Sequence, residues 1–259
     1  MSTSLLEDYR DLRHRPSARR NDRQAFFLVE GPRVIRRLIA SGYQVRSIIV
    51  EHGRDQRVLG TLPKETPLLT LSRDEIRSLS GFDFHRGYLA SADRRPFQDL
   101  AQLDPARLIL GFIGVTDMEN LGSLLRSAAA FGIRQVLLDS STADPYSRRV
   151  SRVSMGASLA MEYYQLNQPS RDLRALHERG VWSLAATPAV DAESVADLPP
   201  TESSRLLLMG NESDGLPKQV LANVSQKVRI PMPGRGQESE VVDSLNVAVA
   251  GAILMHELS

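Results

Sequence analysis

The chain has 259 residues, 42% of them hydrophobic and 24% charged, with a formal net charge of +1. That length allows one large or two small domains with ample core, and no apolar run approaches the ~18–20 residues of a membrane span. The absence of cysteine excludes disulfides, thiolate catalysis and Cys-ligated zinc, and suits a cytoplasmic protein.

Of the 32 basic residues, only Lys64, Lys218 and Lys227 are lysines. Arginine suits bidentate phosphate contacts and base stacking; genomic base composition accounts for the bias equally well. Arg10, Arg13, Arg15, Arg19, Arg20 and Arg23 crowd the first segment, and Arg148, Arg149 and Arg152 form a second cluster. Charge runs of this kind are commonly solvated faces.

In chain order, the polar, Arg-rich stretch Met1–Arg23 is no secretory signal. Residues 4–15 suit a short charged helix, and Pro16–Asp22 a flexible link. Ala25–Glu30 reads as a strand. Gly31-Pro32 opens a helix with Val34, Ile35, Leu38 and Ile39 at helical spacing, ended by Gly42. Val45–Glu51 and Leu68–Leu71 are strands, Arg73–Ser80 is a short helix, and Gly87–Ser91 is a closing strand. A polar stretch with two prolines then reads as a linker. From Arg107 onward, strands at 107–115, 134–139, 162–166, 181–187, 204–210 and 227–232 alternate with helices at 121–131, 148–160, 170–179, 215–224 and 244–257. Such alternation predicts an α/β fold with a mainly parallel sheet and helices on both faces.

Three polar clusters each follow the carboxyl end of an expected strand, the edge where open α/β sheets bind ligands. The first contains Asn120, Gly122 and Arg126. The second contains Gly210, Glu212 and Gly215. The third contains Ile230, Pro231 and Met232, followed by Ser244-Leu245-Asn246-Val247. Together, in this order and setting, they resemble the motifs of the SpoU (TrmH-like) branch of the SPOUT RNA methyltransferases. The resemblance covers about residues 107–259 and, more loosely, 25–95, where His85-Arg86-Gly87-Tyr88-Leu89-Ala90 is similar to the phrase closing a ribosomal-protein-like RNA-binding domain. One departure is that Pro233–Asp243 is longer than the family's usual link, which implies an unusual cofactor loop.

The resemblance implies a basic extension at 1–24, an RNA-binding domain at 25–95, a linker at 96–106 and a methyltransferase domain at 107–259 with a deep trefoil knot. It implies transfer of a methyl group from S-adenosylmethionine to a ribose 2′-hydroxyl of RNA, ribosomal RNA first and transfer RNA second, by a homodimer. A non-catalytic RNA-binding protein on the same fold is the alternative. Met209, Gly210, Asn211, Gly215, Ile230, Met232, Ser244 and Leu245 would hold the cofactor. Arg126, Asn120, Glu212 and Asn246 would form the catalytic set, and Arg126, Arg149 and Arg152 would meet RNA. Asn120 is expected to cap its helix, and Asp243 or Ser244 to cap the last one. Gly234-x-Gly236 hints at a dinucleotide loop but lacks the third glycine, and the five histidines show no metal spacing.

Overall fold

The computed structural model describes residues 3–12, 26–81, 86–232 and 244–259. They form two compact units, residues 1–96 with 144–160 and residues 97–143 with 161–259. No helix among the described residues is long and apolar enough to cross a membrane.

The first unit carries a sheet of β1 (Phe26–Glu30), β2 (Val45–Glu51), β3 (Leu68–Leu71) and β4 (Tyr88–Asp93) in the order β1-β4-β2-β3. β4 is antiparallel to both neighbours, while β2 and β3 run parallel. Helix α1 spans Thr3–Leu6, α2 Pro32–Ala40 and α3 Arg73–Ser80. Pro32 opens α2, where its missing N–H costs nothing. A capping box between Ser72 and Glu75 starts α3, and left-handed Gly81 ends it.

Residues 7–12, expected to belong to a basic extension, are part of this core. Tyr9 is fully buried; its hydroxyl donates to the Ser47 carbonyl at 2.8 Å and accepts from the Ser91 amide at 3.1 Å. Buried Asp8 pairs with Arg46 at 2.9 Å. Arg13 to Arg23 and His85 lie outside the described residues.

Residues 144–160, expected in the C-terminal domain, also belong to the first unit. The Arg94 guanidinium clasps the Asp144 carboxylate with two bonds of 2.7 Å. The Tyr146 ring tilts against Phe27 at 4.9 Å between centroids. The expected helix over 148–160 is shorter: α5 spans Arg148–Val153, and Met155 and Gly156 take positive φ of 55° and 86° before a 3₁₀ turn. Gly156 there lies close against Arg37 and Val34.

The second unit is a seven-stranded sheet of β5 (Leu108–Phe112), β6 (Gln135–Asp139), β7 (Glu162–Leu166), β8 (Trp182–Ala186), β9 (Glu193–Ser194), β10 (Arg205–Met209) and β11 (Gln226–Arg229). Its order is β7-β6-β5-β10-β8-β11-β9, with every pairing parallel. Helices α4 (Met118–Ala130), α6 (Pro169–Glu178), α7 (Lys218–Leu221) and α8 (Val247–Leu258) flank it. β9 had no sequence signal at two residues long. The helix expected over 215–224 shrinks to α7 because Gly215 takes φ +68° and Pro217 precedes the first turn. Part of the expected linker belongs here: Gln98 pairs with the edge of β7, and Leu103 is buried in the core.

Helices α4 and α8 meet closely at Gly251, where a Cβ would lie 2.3 Å from Leu124 Cδ2 and 3.0 Å from Met209 Sδ. The small-residue character of α8 therefore serves packing on α4 and β10. The expected trefoil knot involves the final strand, loop and helix, of which residues 233–243 lie outside the described residues.

Candidate active site

The carboxyl ends of β8, β10 and β11 and the start of α8 surround a cavity of about 520 Å³. Met209, Gly210, Asn211, Gly215, Ile230, Met232, Ser244 and Leu245 all line it. Ile230 and Met232 do so from the loop beyond β11, which ends at Arg229 instead of running on to 232. The wall also includes Thr187 and Pro188, which the sequence reading missed. Their signal was available, since Thr187 ends an expected strand and Pro188 follows it.

Gly210 and Gly215 serve one turn for different reasons. A Cβ on Gly210 would stand 2.3 Å from the Gly215 carbonyl carbon, so only glycine allows the two backbones to meet. Gly215 has open space but a φ of +68°. The turn is closed by Asn211 N–H to Gly215 O at 3.1 Å and Gly215 N–H to Asn211 O at 3.0 Å. Asn211 Oδ1 accepts from the amides of Ser213 at 2.8 Å and Asp214 at 3.2 Å, and its Nδ2 donates to the Gly114 carbonyl at 2.9 Å.

Three of the four expected catalytic residues meet beside this turn. Asn120 Nδ2 donates to Glu212 Oε1 at 2.8 Å, and Asn246 Nδ2 donates to Asn120 Oδ1 at 3.0 Å. The caps expected at Asn120 and at Asp243 or Ser244 fall elsewhere. Asp117 caps α4, accepting from the amides of Glu119 and Asn120, so the Asn120 side chain is free to reach Glu212. Asn246, not Ser244, caps α8, accepting from Ala248 and Val249. One side chain thus ends the helix with its oxygen and holds Asn120 with its nitrogen. Asp243 lies outside the described residues.

Arg126 lies on α4, six residues beyond Asn120. It is exposed on α4, two turns beyond Asp117, and does not line the cavity. Arg149 and Arg152 sit on α5 in the first unit. Burial lowers the pKa of neighbouring Arg148, and the charge of Arg152 lowers it further, against a raising contribution from Glu30.

Asp139 at the end of β6 had not been singled out. It accepts from the amides of Gly114 at 3.1 Å, Ser141 at 3.2 Å and Thr142 at 2.9 Å, and from the hydroxyls of Ser141 and Thr142. Burial pushes its pKa up, but these hydrogen bonds outweigh burial and hold it below the ordinary carboxylate range. Among the described residues no cluster of His, Asp and Glu could hold a metal ion.

Fold and site together define a parallel α/β protein with a ligand cavity at the carboxyl edge of its sheet. Residues 107–256 match the SpoU rRNA Methylase family. The chain is 35% identical over 265 residues to an uncharacterized tRNA/rRNA methyltransferase of Mycobacterium tuberculosis, covering 97% of this chain and 87% of that one. It is 30% identical over 234 residues to a 23S rRNA (guanosine-2′-O-)-methyltransferase of Bordetella pertussis, covering 86% and 92%. An AdoMet-bound rRNA methyltransferase from Sinorhizobium meliloti superposes with a TM-score of 0.79 at 23% identity over 100% of this chain and 95% of that one, a likeness of fold. The chain belongs to the SpoU rRNA methylase family, a family of RNA methyltransferases.

Proposed function

We propose that the protein transfers a methyl group from S-adenosylmethionine to a ribose 2′-hydroxyl of ribosomal RNA. The observation that carries this reading is the adjacency of the cavity and the Asn120–Glu212–Asn246 trio: the turn 210–215 lines the one and contributes Glu212 to the other. Support for the hydroxyl as target and for ribosomal RNA comes from the Bordetella relative's activity. Transfer RNA is the second reading, favoured by the description of the mycobacterial relative.

The residues present fit S-adenosylmethionine. A 520 Å³ cavity falls within the range of cofactor sites, roughly 300–1,000 Å³. Met209, Ile230, Met232 and Leu245 give apolar walls for a heterocycle, and the turn from Gly210 to Gly215, exposed at residues 212–215, gives polar edges. Bound there, the cofactor supplies an electrophilic methyl group. Asn120, Glu212 and Asn246 then orient the attacking ribose beside it, since an in-line displacement depends on alignment. Arg126 binds the neighbouring phosphate and stabilises the developing alkoxide. It is no proton acceptor, because a guanidinium carries five N–H donors and no acceptor atom. Arg149 and Arg152 contact RNA phosphates from the first unit, and residues 25–95 with 144–160 supply RNA affinity.

The working form on this reading is a homodimer. Met118 on α4 and Val249 on α8 are 43% and 50% exposed, an apolar surface that a second copy would cover. Calorimetry with S-adenosylmethionine and with NAD, followed by mapping of methylated riboses in RNA from cells with and without the gene, tests the reading. Binding of NAD in place of S-adenosylmethionine, or methylation only on bases, would refute it.

A further inference from the structure

Asp139, at the end of β6, stands two strands from β10, the nearest strand lining the cavity, yet a continuous run of hydrogen bonds leads from it to the cavity wall. β6 pairs in parallel with β5, so its last residue lies beside the chain leaving β5. There Asp139 accepts the Gly114 amide at 3.1 Å. Gly114 takes φ +74°, and its carbonyl accepts from Asn211 Nδ2 at 2.9 Å. Asn211 closes the turn to Gly215 with its backbone and holds the amides of Ser213 and Asp214 with Oδ1. Glu212, inside that turn, accepts from Asn120.

The geometry points to Asp139 as a positioning residue for the methyl-donor site: through Gly114 and Asn211 its carboxylate fixes the 211–215 turn that walls the cavity. This rests on the reading of the cavity as the S-adenosylmethionine site. An ionised acceptor holds an amide more strongly than a neutral one. A peptide group whose N–H is so held is polarised, which strengthens its carbonyl as the acceptor for Asn211. Because Asp139 is 9% exposed, water replaces these bonds poorly. Ser141 and Thr142, two and three residues further along the chain, keep the carboxylate ionised and aimed at Gly114.

Asp139→Asn keeps the shape and removes the charge. In the full-length protein it is expected to weaken S-adenosylmethionine binding by about tenfold, to speed amide hydrogen exchange at 213–215, and to leave RNA affinity within about twofold of wild type. Asn211→Ala is expected to give a similar loss, and the double variant to bind no more than about twofold worse than the weaker single one, because both changes cut the same run. A folded Asp139→Asn protein with unchanged cofactor affinity overturns the proposal. So does a double variant whose loss is the product of the two single losses. Should Asp139→Asn fail to fold, Ser141→Ala at an exposed position removes one donor from the same carboxylate. A two- to threefold loss of cofactor affinity then supports the proposal, and no loss overturns it. The wild-type arm separates the two readings: a wild-type protein that does not bind S-adenosylmethionine refutes the cofactor reading and this proposal with it, whereas normal wild-type binding with an unaffected variant refutes this proposal alone.

Discussion

Asn246 donates its side-chain amide to Asn120 across 3.0 Å, joining the first turns of two helices that lie 126 residues apart in the chain. The same Asn246 caps α8 with its oxygen, so its two functions can be separated by substitution. Asn246→Ser keeps a capping hydroxyl but cannot reach Asn120. It should retain stability to within about 0.5 kcal/mol while methyl transfer falls tenfold or more. Asn246→Ala should also lose about 1 kcal/mol from the missing cap. Denaturant titration beside a methylation assay distinguishes the two, and a fully active Asn246→Ser protein would remove Asn246 from the site.

Gly210→Ala should all but abolish cofactor binding. Its Cβ would meet the backbone of Gly215 and Leu216 at 2.3–2.4 Å, and backbone cannot swing aside as a side chain can. The turn must open, at a cost of about 2 kcal/mol in stability. Calorimetry should show S-adenosylmethionine affinity lowered by at least tenfold; an unchanged affinity would mean that the turn tolerates opening or does not touch the cofactor.

Arg126→Ala should leave the fold and cofactor affinity nearly intact, because the residue is exposed and does not line the cavity. Methyl transfer should fall by about a hundredfold or more, the usual loss when a charge-stabilising donor is removed from a reacting centre. Arg126→Lys should rescue poorly, because lysine lacks the planar fork. Near-normal turnover in either variant contradicts the role.

Arg94→Ala should destabilise the first unit by about 3 kcal/mol, since the Arg94 side chain is 2% exposed and its loss strands the Asp144 carboxylate. Arg94 also stacks over Tyr146 at 4.6 Å, so the anchorage of 144–160 weakens with it. For the same reason a fragment beginning at Arg107 should be less stable than the intact chain and prone to aggregate, because it would expose Tyr146 and Val150. Thermal melts and light scattering check both expectations.

The depressed pKa of Asp139 gives a defined pH dependence. A carboxylate held below its unfolded value, about 3.9, contributes stability that is full above that value and is lost as pH falls through the folded one. The stability advantage of wild type over Asp139→Asn should thus be complete near neutrality and shrink below about pH 4. Denaturant midpoints at neutral and acid pH measure it, and an advantage that grows on acidification contradicts the assignment.

What the sequence determined by itself was local and periodic. β2, β3 and α3 fall on their expected residues, because strand alternation, the Ser72–Glu75 box and Gly81 act within a few residues of one another. The three motif clusters were legible because each follows a strand end, and a parallel sheet brings its carboxyl ends to one edge. The eight expected cofactor residues accordingly line one cavity. Tertiary structure decided what depends on distant partners. Asn120 read as a cap and Asn246 as a site residue beside a cap at Asp243 or Ser244, and only the approach of α8 to α4 at Gly251 makes the two asparagines bond to each other. The apolar face of α5 could join either core; Phe27, Tyr43 and Arg94 draw its segment into the first unit. Asp139 looked like any acid after a strand until β5 brought Gly114 beside it, since a hydrogen bond depends on position in space and carries no period along the chain.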